Sequence, residues 1–393
     1  MQRLLFYFWL LAGAAAVRAD TVLVLPFFNL SNNPNLTWIG ESISETVREA
    51  LASEKILVLD REDREEAFRR LAMRSGGLMT HASVIKIGQT LDAGRIVYGQ
   101  FELRPPEGGA PSRGSLRITA RILDLKRLRQ GPEFVEIGAL EDLAALERHL
   151  AWQSLQFLAP QSAPSEEEFR KNHPVVRVDA IENYIRGLMA SSPEQKHRFF
   201  TQAARLDPGF SQPRYQLGRM YVARKDWRVA SGWLEGVGRG DSHYLESRFW
   251  LGVSRYQNGD FAGAEAAFQE VAQAMPLNEV FNNLGVAQSR RNEPAALGNF
   301  RRALEGDNSD PDYHFNVGYA LWKRGDFAGA AARFRAVLER TPEDADAIAM
   351  LGRALQKSGP RPGDPKSDGL ERLKLNYEET AYRQLKAVLE PGK

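Results

Sequence analysis

No cysteine occurs among the 393 residues of this chain. That absence excludes a disulfide framework, thiol catalysis, cysteine-based zinc sites and lipid attachment through an N-terminal cysteine. It also leaves the chain indifferent to the redox state of its compartment. Net charge is almost absent too: 52 basic residues against 50 acidic ones leave +2, so no field of one sign argues for nucleic acid or an anionic membrane as partner. Past the N-terminus no apolar run approaches the roughly 20 residues that a membrane span needs. The phosphate loop, the His-Glu-x-x-His pair and the Gly-x-Ser-x-Gly turn are all missing. The six histidines, His81, His149, His173, His197, His243 and His314, show no ligand spacing. The expectation is a non-enzymatic protein with no cofactor, metal or catalytic residue.

What is present begins with a targeting pattern. Arg3 precedes an apolar run from Leu4 to Ala16, and Val17-Arg18-Ala19 offers small residues at the two cleavage-defining positions. Residues 1–19 read as a secretory signal cleaved near Ala19, with an uncleaved membrane anchor as the alternative. The expected location is therefore outside the cytoplasm, in the periplasm if the source is bacterial, with no transmembrane segment after cleavage.

Residues 20–158 alternate strand-like and helix-like segments. Thr21 to Phe27 is β-rich, Phe28 to Asn35 reads as a polar loop, and apolar residues from Ile39 to Leu51 recur at helical spacing. Ile56 to Leu59 reads as a strand, followed by Asp60 at a helix N-cap position. A helix around Val84 to Leu91 leads to a strand at Ile96 to Phe101. A Pro/Gly-rich loop from Arg104 to Ser115 precedes Leu116 to Leu123, where Ile118, Ala120 and Ile122 alternate with polar neighbours. A short run at Phe134 to Ile137 and a helix from Leu140 to Leu158 complete a compact α/β domain. The carboxylates between Asp60 and Glu66 alternate with Arg61 and Arg64, which reads as a solvated helix start and not as an acid/base pair. Asn29-Leu-Ser and Asn35-Leu-Thr are three-residue glycosylation patterns of little specificity.

The stretch Val24-Leu25-Pro26-Phe27-Phe28-Asn29-Leu30-Ser31-Asn32, with Trp38-Ile39-Gly40-Glu41, Ile96-Val97-Tyr98-Gly99 and Ile118 to Asp124, resembles the N-terminal domain of the periplasmic TolB protein and its relatives. The relatives include domains of curli-secretion and flagellar envelope proteins. The resemblance implies assembly or signalling in a bacterial envelope and transfers no catalytic residue.

Residues 159–176 form a linker by composition. From there to Gly359 one pattern returns. Leu217-Gly218, Leu251-Gly252, Leu284-Gly285, Val317-Gly318 and Leu351-Gly352 lie 34, 33, 33 and 34 residues apart. Asp226-Trp227, Asp260-Phe261, Glu293-Pro294 and Asp326-Phe327 keep the same step, as do Ala264 to Phe268, Ala296 to Phe300 and Ala330 to Phe334. Pro276 and Pro342 close their units. A period of this length with two helical patterns and one turn marks a helical solenoid, whose units bury their apolar faces only by stacking. Residues 177–359 thus hold five to six hairpins, the first of them degenerate (Ala180 to Pro208). Residues 360–393 are read as a linker and a capping helix, one amphipathic helix over 370–389. The fold class is α+β: a mixed-sheet domain, then an all-α array.

The apolar-Gly, Gly-Asp-aromatic and Ala-x-x-x-Phe elements resemble the tetratricopeptide repeat. In that family the first helix of each hairpin lines a concave groove, with ligand-contacting positions three before and one, four and five after the marker glycine. The resemblance places Tyr215, Arg219, Val222 and Ala223 there in one repeat, and Phe249, Val253, Tyr256 and Gln257 in the next. Asn282, Val286, Ser289 and Arg290, then Phe315, Tyr319, Trp322 and Lys323, make the third and fourth sets. Aromatics bury large area with few rotors to freeze, which suits an extended or helical peptide with apolar anchors. Several of them, Phe249 and Phe315 above all, could equally pack between repeats. The Lys and Asn pattern that clamps a C-terminal carboxylate is absent. The reading is a scaffold or adaptor for protein or peptide partners, whose candidate groove residues are Tyr215, Arg219, Phe249, Tyr256, Arg290, Phe315, Tyr319, Trp322 and Lys323. The alternative is a sensor whose α/β domain binds a small molecule.

Overall fold

The structure, a computed structural model, describes residues 21–31, 33–104, 114–361, 364 and 367–389. The secretory pattern of residues 1–19 and most of the loop after Arg104 lie outside the described residues. Two compact units, divided between Phe169 and Arg170, are described separately.

The first unit holds β1 (Val22–Val24), β2 (Phe28–Asn29), α1 (Thr37–Ser53), α2 (Arg61–Arg70), α3 (His81–Thr90), β3 (Arg95–Arg104), β4 (Ser115–Asp124), β5 (Arg129–Ala139) and α4 (Leu143–Leu158). The sheet runs β1-β3-β4-β5, with β2 also beside β3; β1 and β2 pair with β3 in parallel and the other pairs are antiparallel. Ile118, Ala120 and Ile122 of β4 are buried, as their alternation requires. Three local expectations change. Ile56 to Leu59 gives only a bridge between Val58 and Val22, and the expected loop at Phe28 forms β2. The short run at Phe134 lengthens across Gly131 and Pro132 into β5, because pairing with β4 from Ala139 to Arg129 overrides weak local propensity.

The charged start of α2 is also not a solvated face throughout. Arg64 is fully buried, donates to Ser44 Oγ at 2.7 Å and Val24 O at 3.3 Å, and pairs with Glu41 and Glu45 of α1. A buried guanidinium needs such a set of acceptors, and α1 supplies them. On α4, Glu147 is buried and accepts from Thr46 Oγ1 at 3.0 Å; burial pushes its carboxyl up to about 8, so it carries a proton at neutral pH.

The expected linker contains a short helix, α5 (Glu166–Asn172), anchored by buried Phe169. The second unit then runs through α6 (Val178–Met189), α7 (Pro193–Leu206), α8 (Ser211–Ala223), α9 (Trp227–Glu235), α10 (Tyr244–Gln257), α11 (Phe261–Ala274), α12 (Asn278–Arg290), α13 (Ala296–Gly306), α14 (Pro311–Lys323), α15 (Phe327–Arg340), α16 (Ala345–Leu355) and α17 (Glu379–Leu389). Consecutive pairs from α6–α7 to α14–α15 pack as hairpins and stack on their neighbours.

Most of the sequence markers have a mechanical role. A methyl group at Gly252 would sit 2.7 Å from the Phe268 ring, and one at Gly285 2.7 Å from Phe300, so the small residue and the aromatic are two halves of one contact. Asp226, Asp260 and Asp326 cap the second helices, accepting from the amides of Val229, Gly263 and Gly329. The preceding Gly259 and Gly325 take φ of +81°, the left-handed turn that glycine adopts without strain. Glu293 makes no such cap, and α13 starts later, at Ala296.

The C-terminal region differs from expectation. Residues 370–378 are not helical; only Glu379–Leu389 forms a helix. Nor does α17 cover the last repeat, since Ala381, Tyr382 and Leu385 join the apolar cluster built by α8 to α12. Among the described residues α16 has no second helix over it: a methyl at Gly352 would meet nothing within 4 Å, and Ile348 and Leu355 stay 52% and 58% exposed. The helical pattern fails over 370–378 because the backbone groups there bind side chains of the array instead of one another.

The marker glycines should therefore respond oppositely to one substitution. Gly252→Ala forces a methyl into Phe268 and should destabilise by about 1–3 kcal/mol. Gly352→Ala should stabilise by about 0.5–1 kcal/mol through helix propensity alone. Urea unfolding of the two variants reads both signs, and equal signs would contradict the pairing of glycine with aromatic.

Candidate functional site: a groove holding a segment of its own chain

The first helices of the hairpins, α10, α12 and α14, present side chains to one face, and that face is occupied by residues 367–378. Three asparagines make the central contact. Asn316 Oδ1 accepts from the Arg372 amide at 2.8 Å, while its Nδ2 donates to Arg372 O at 2.8 Å and to Asn282 Oδ1 at 2.7 Å. Asn283 treats Lys374 the same way, accepting from its amide and donating to its carbonyl, both at 2.8 Å. Asn282 links the two, donating to Arg372 O at 2.9 Å and to Asn283 Oδ1 at 3.2 Å. Two residues whose N–H and C=O groups face the same side, one residue apart in between, have the geometry of a β-strand. The asparagine amides stand where a neighbouring strand would be, and all three are fully buried.

Side chains fix the register. The Arg372 guanidinium lies 3.8 Å above the Phe315 ring and donates to Asp312 at 3.1 Å and Asp344 at 2.7 Å. Lys374 Nζ is 2.7 Å from both Asp310 and Asp312. Burial works against the ammonium, but those two carboxylates more than offset it and hold the Lys374 group above its usual range. Asp312 shows the reverse balance: burial opposes its charge, and Lys374 and Arg372 keep its carboxyl below the usual range. The Lys374–Asp312 pair is thus charged across neutral pH, and salt is the agent that weakens it.

Apolar contacts flank this ladder. Leu373 packs against both neighbouring apolar clusters and Leu370 against the α12 to α16 one. Tyr377 meets Phe249 edge-on at 5.0 Å between ring centres and lies 6.3 Å from Trp250. At the other end Tyr319 Oη donates to Ser367 O at 2.9 Å and accepts from the Gly369 amide at 3.2 Å. Ser289 Oγ donates to Glu371 at 2.5 Å, with Lys323 Nζ 3.7 Å from the same carboxylate oxygen. Arg290 lies 3.7 Å from Asp368.

The positions named from the sequence fall as follows. Phe249, Arg290, Phe315, Tyr319 and Lys323 touch the segment directly. Trp322 is fully buried, stacked on Tyr319, and donates to Ser358 O at 2.7 Å. Phe249 and Phe315 do both things the sequence left open: each packs on its repeat's own phenylalanine, Phe268 or Phe334, and each meets the segment. Tyr256 packs between the clusters and against Phe261; burial, with the Glu371 carboxylate as a smaller cause, pushes its phenol up to about 12. Tyr215 stacks on His243 and accepts from Arg219, whose guanidinium lies 4.8 Å above Trp250. Asn283 and Asn316 escaped the sequence reading, since they stand two before the marker glycine. The available signal was an amide inside the apolar runs Phe281 to Leu284 and Phe315 to Val317.

The tetratricopeptide repeat family matches residues 215–279, 286–345 and 318–359, so the helical unit carries tetratricopeptide repeats. No curated protein sequence matches the chain. Among solved structures, YrrB, described as a TPR protein with an unusual peptide-binding site, is 21% identical over 43% of this chain and 87% of its own, with a TM-score of 0.36. MamA from Desulfovibrio magneticus RS-1 is 21% identical over 41% and 92%, with a TM-score of 0.36. Pseudomonas aeruginosa pilF is 19% identical over 44% and 86%, with a TM-score of 0.33.

Removing one amide should loosen the segment selectively. Asn316→Ala strands the Arg372 amide and leaves its carbonyl to Asn282 alone, a loss of about 1–3 kcal/mol. Limited trypsin digestion followed by mass spectrometry should show cleavage after Arg372 and Lys374 accelerating at least tenfold while cuts inside α12 and α14 stay slow. Parallel acceleration at all sites would mean that the array itself, and not the segment, had been weakened.

Proposed function

We propose that the protein is a non-enzymatic scaffold whose helical array holds a segment of a partner protein in the face lined by α10, α12 and α14. One observation carries the reading: three buried asparagines there are spent on the backbone of an extended polypeptide. Buried amides are costly unless fully paired, and these pair with a chain segment and with one another. The family match supports the same reading, as tetratricopeptide repeats serve as protein-binding modules.

The finer reading places the protein in a bacterial cell envelope, exported by residues 1–19 and periplasmic, with the first unit acting as a TolB N-terminal-like docking domain. Support comes from the targeting pattern, the Val24 to Asn32 motif and a mixed sheet carrying that motif at its β1 and β2 edge.

The test is photocrosslinking in the native host. A benzophenone amino acid at Tyr256, half-buried beside the groove, should trap a partner protein, whereas the same probe at exposed Arg335 on α15 should trap none. Adducts from Arg335 alone would move the binding surface to the other face and contradict the proposal.

A further inference from the structure

Residues 367–378 are bound as a ligand is bound, and this decides what else the groove accepts. From Leu370 to Tyr377 the described backbone forms no helix or strand. It is held by array side chains that read its backbone, at Arg372 and Lys374, with an amide geometry indifferent to the side chains carried there. Its side chains then supply a pattern: an arginine and a lysine flanking a leucine, met by Asp310, Asp312 and Asp344, with a tyrosine three residues beyond the lysine against Phe249. Part of the segment faces outward, with Leu375 43% exposed. The array's apolar contacts, Gly252 on Phe268 and Gly285 on Phe300, are made without it.

We propose, building on the scaffold reading, that the segment is an internal occupant of the partner groove, and that the partner binds by displacing it with an extended basic and apolar stretch of the same kind, Arg/Lys-Leu-Arg/Lys followed by an aromatic. The partner is a protein segment carrying positive charge at alternate residues, drawn to the three aspartates. Tethering sets the internal competitor at an effective concentration of about 1 mM, so a partner must either match the pattern closely or be present at high local concentration. If the segment fills the groove nine-tenths of the time, apparent affinity for a partner falls about tenfold.

The experiment uses the full chain carrying Arg372→Glu and Lys374→Glu, which sets like charges against Asp310, Asp312 and Asp344. The probe is a fluorescein-labelled synthetic peptide of residues 367–378. Anisotropy titration should show at least tenfold tighter binding to the charge-reversed chain than to the wild type. The affinity should fall as salt rises, and a peptide bearing the same two glutamates should not bind. Hydrogen exchange supplies the second measurement, on the wild-type chain itself: the amides of Arg372 and Lys374 should exchange well before those of α12 and α14. The inference is overturned if those two amides exchange only with global unfolding, if the charge-reversed chain fails to fold, or if the freed groove leaves the peptide unbound. Any of these would make the segment a permanent part of the core. Crosslinking from Tyr256 would still stand or fall separately, because a partner could engage that face alongside a permanent segment.

Discussion

The helical unit depends on a contact repeated at each step: a glycine in the first helix of a hairpin against a bulky side chain in the second. Phe268 under Gly252 and Phe300 under Gly285 leave too little space for a methyl group, and Phe334 under Gly318 leaves a tight fit. The contact sets how closely the paired helices approach, and therefore which faces of α10, α12 and α14 remain free of their partners. Those faces carry the asparagines. A wider hairpin would carry the same side chains without bringing Asn282, Asn283 and Asn316 within hydrogen-bond distance of one another and of one extended chain. Where the second helix is missing, at α16, the glycine faces open space and the helix leaves Ile348 and Leu355 exposed.

The polar groove follows from the same arrangement. An amide buried in a concave face must find a donor and an acceptor together, and a peptide group offers both. Asn283 and Asn316 stand one repeat apart and each engages both the N–H and the C=O of one residue, while Asn282 closes the network between them. Such a device recognises extension and not sequence. Selectivity then falls to charge: Asp310 and Asp312 at the start of α14 and Asp344 at the start of α16 lie where helix N-termini leave carboxylates partly compensated, yet each still pairs with Arg372 or Lys374. Backbone reading and charge reading are separable, which allows one segment to be exchanged for another of similar chemistry.

Much of this was legible in the residues. The spacing of the marker glycines pointed to the hairpins and the alternation in Leu116 to Leu123 to a strand, while the aspartates before Trp227, Phe261 and Phe327 were visible as a repeating marker whose capping role only the structure supplies. Of the aromatics and cations named from the sequence, Phe249, Arg290, Phe315, Tyr319 and Lys323 touch residues 367–378, because helical phase carries them to one face. What could not be read was the occupant. Residues 370–378 have amphipathic helical spacing, and nothing in that spacing records that distant asparagines satisfy the backbone of Arg372 and Lys374. Arg64 was misread for a related reason: the acceptors that permit its burial, Ser44, Glu41 and Glu45, sit on another helix. In both cases a polar group's fate was set by partners far along the chain.

The absence of cysteine allows the central claim to be tested without background labelling. Spin labels at Leu375→Cys, on the exposed edge of the segment, and Arg301→Cys, on the outer surface of α13, report their separation by pulsed electron resonance. A groove occupied by its own chain predicts one narrow distance distribution that broadens when Asn316 is replaced by alanine. A broad distribution in the otherwise wild-type chain would contradict it.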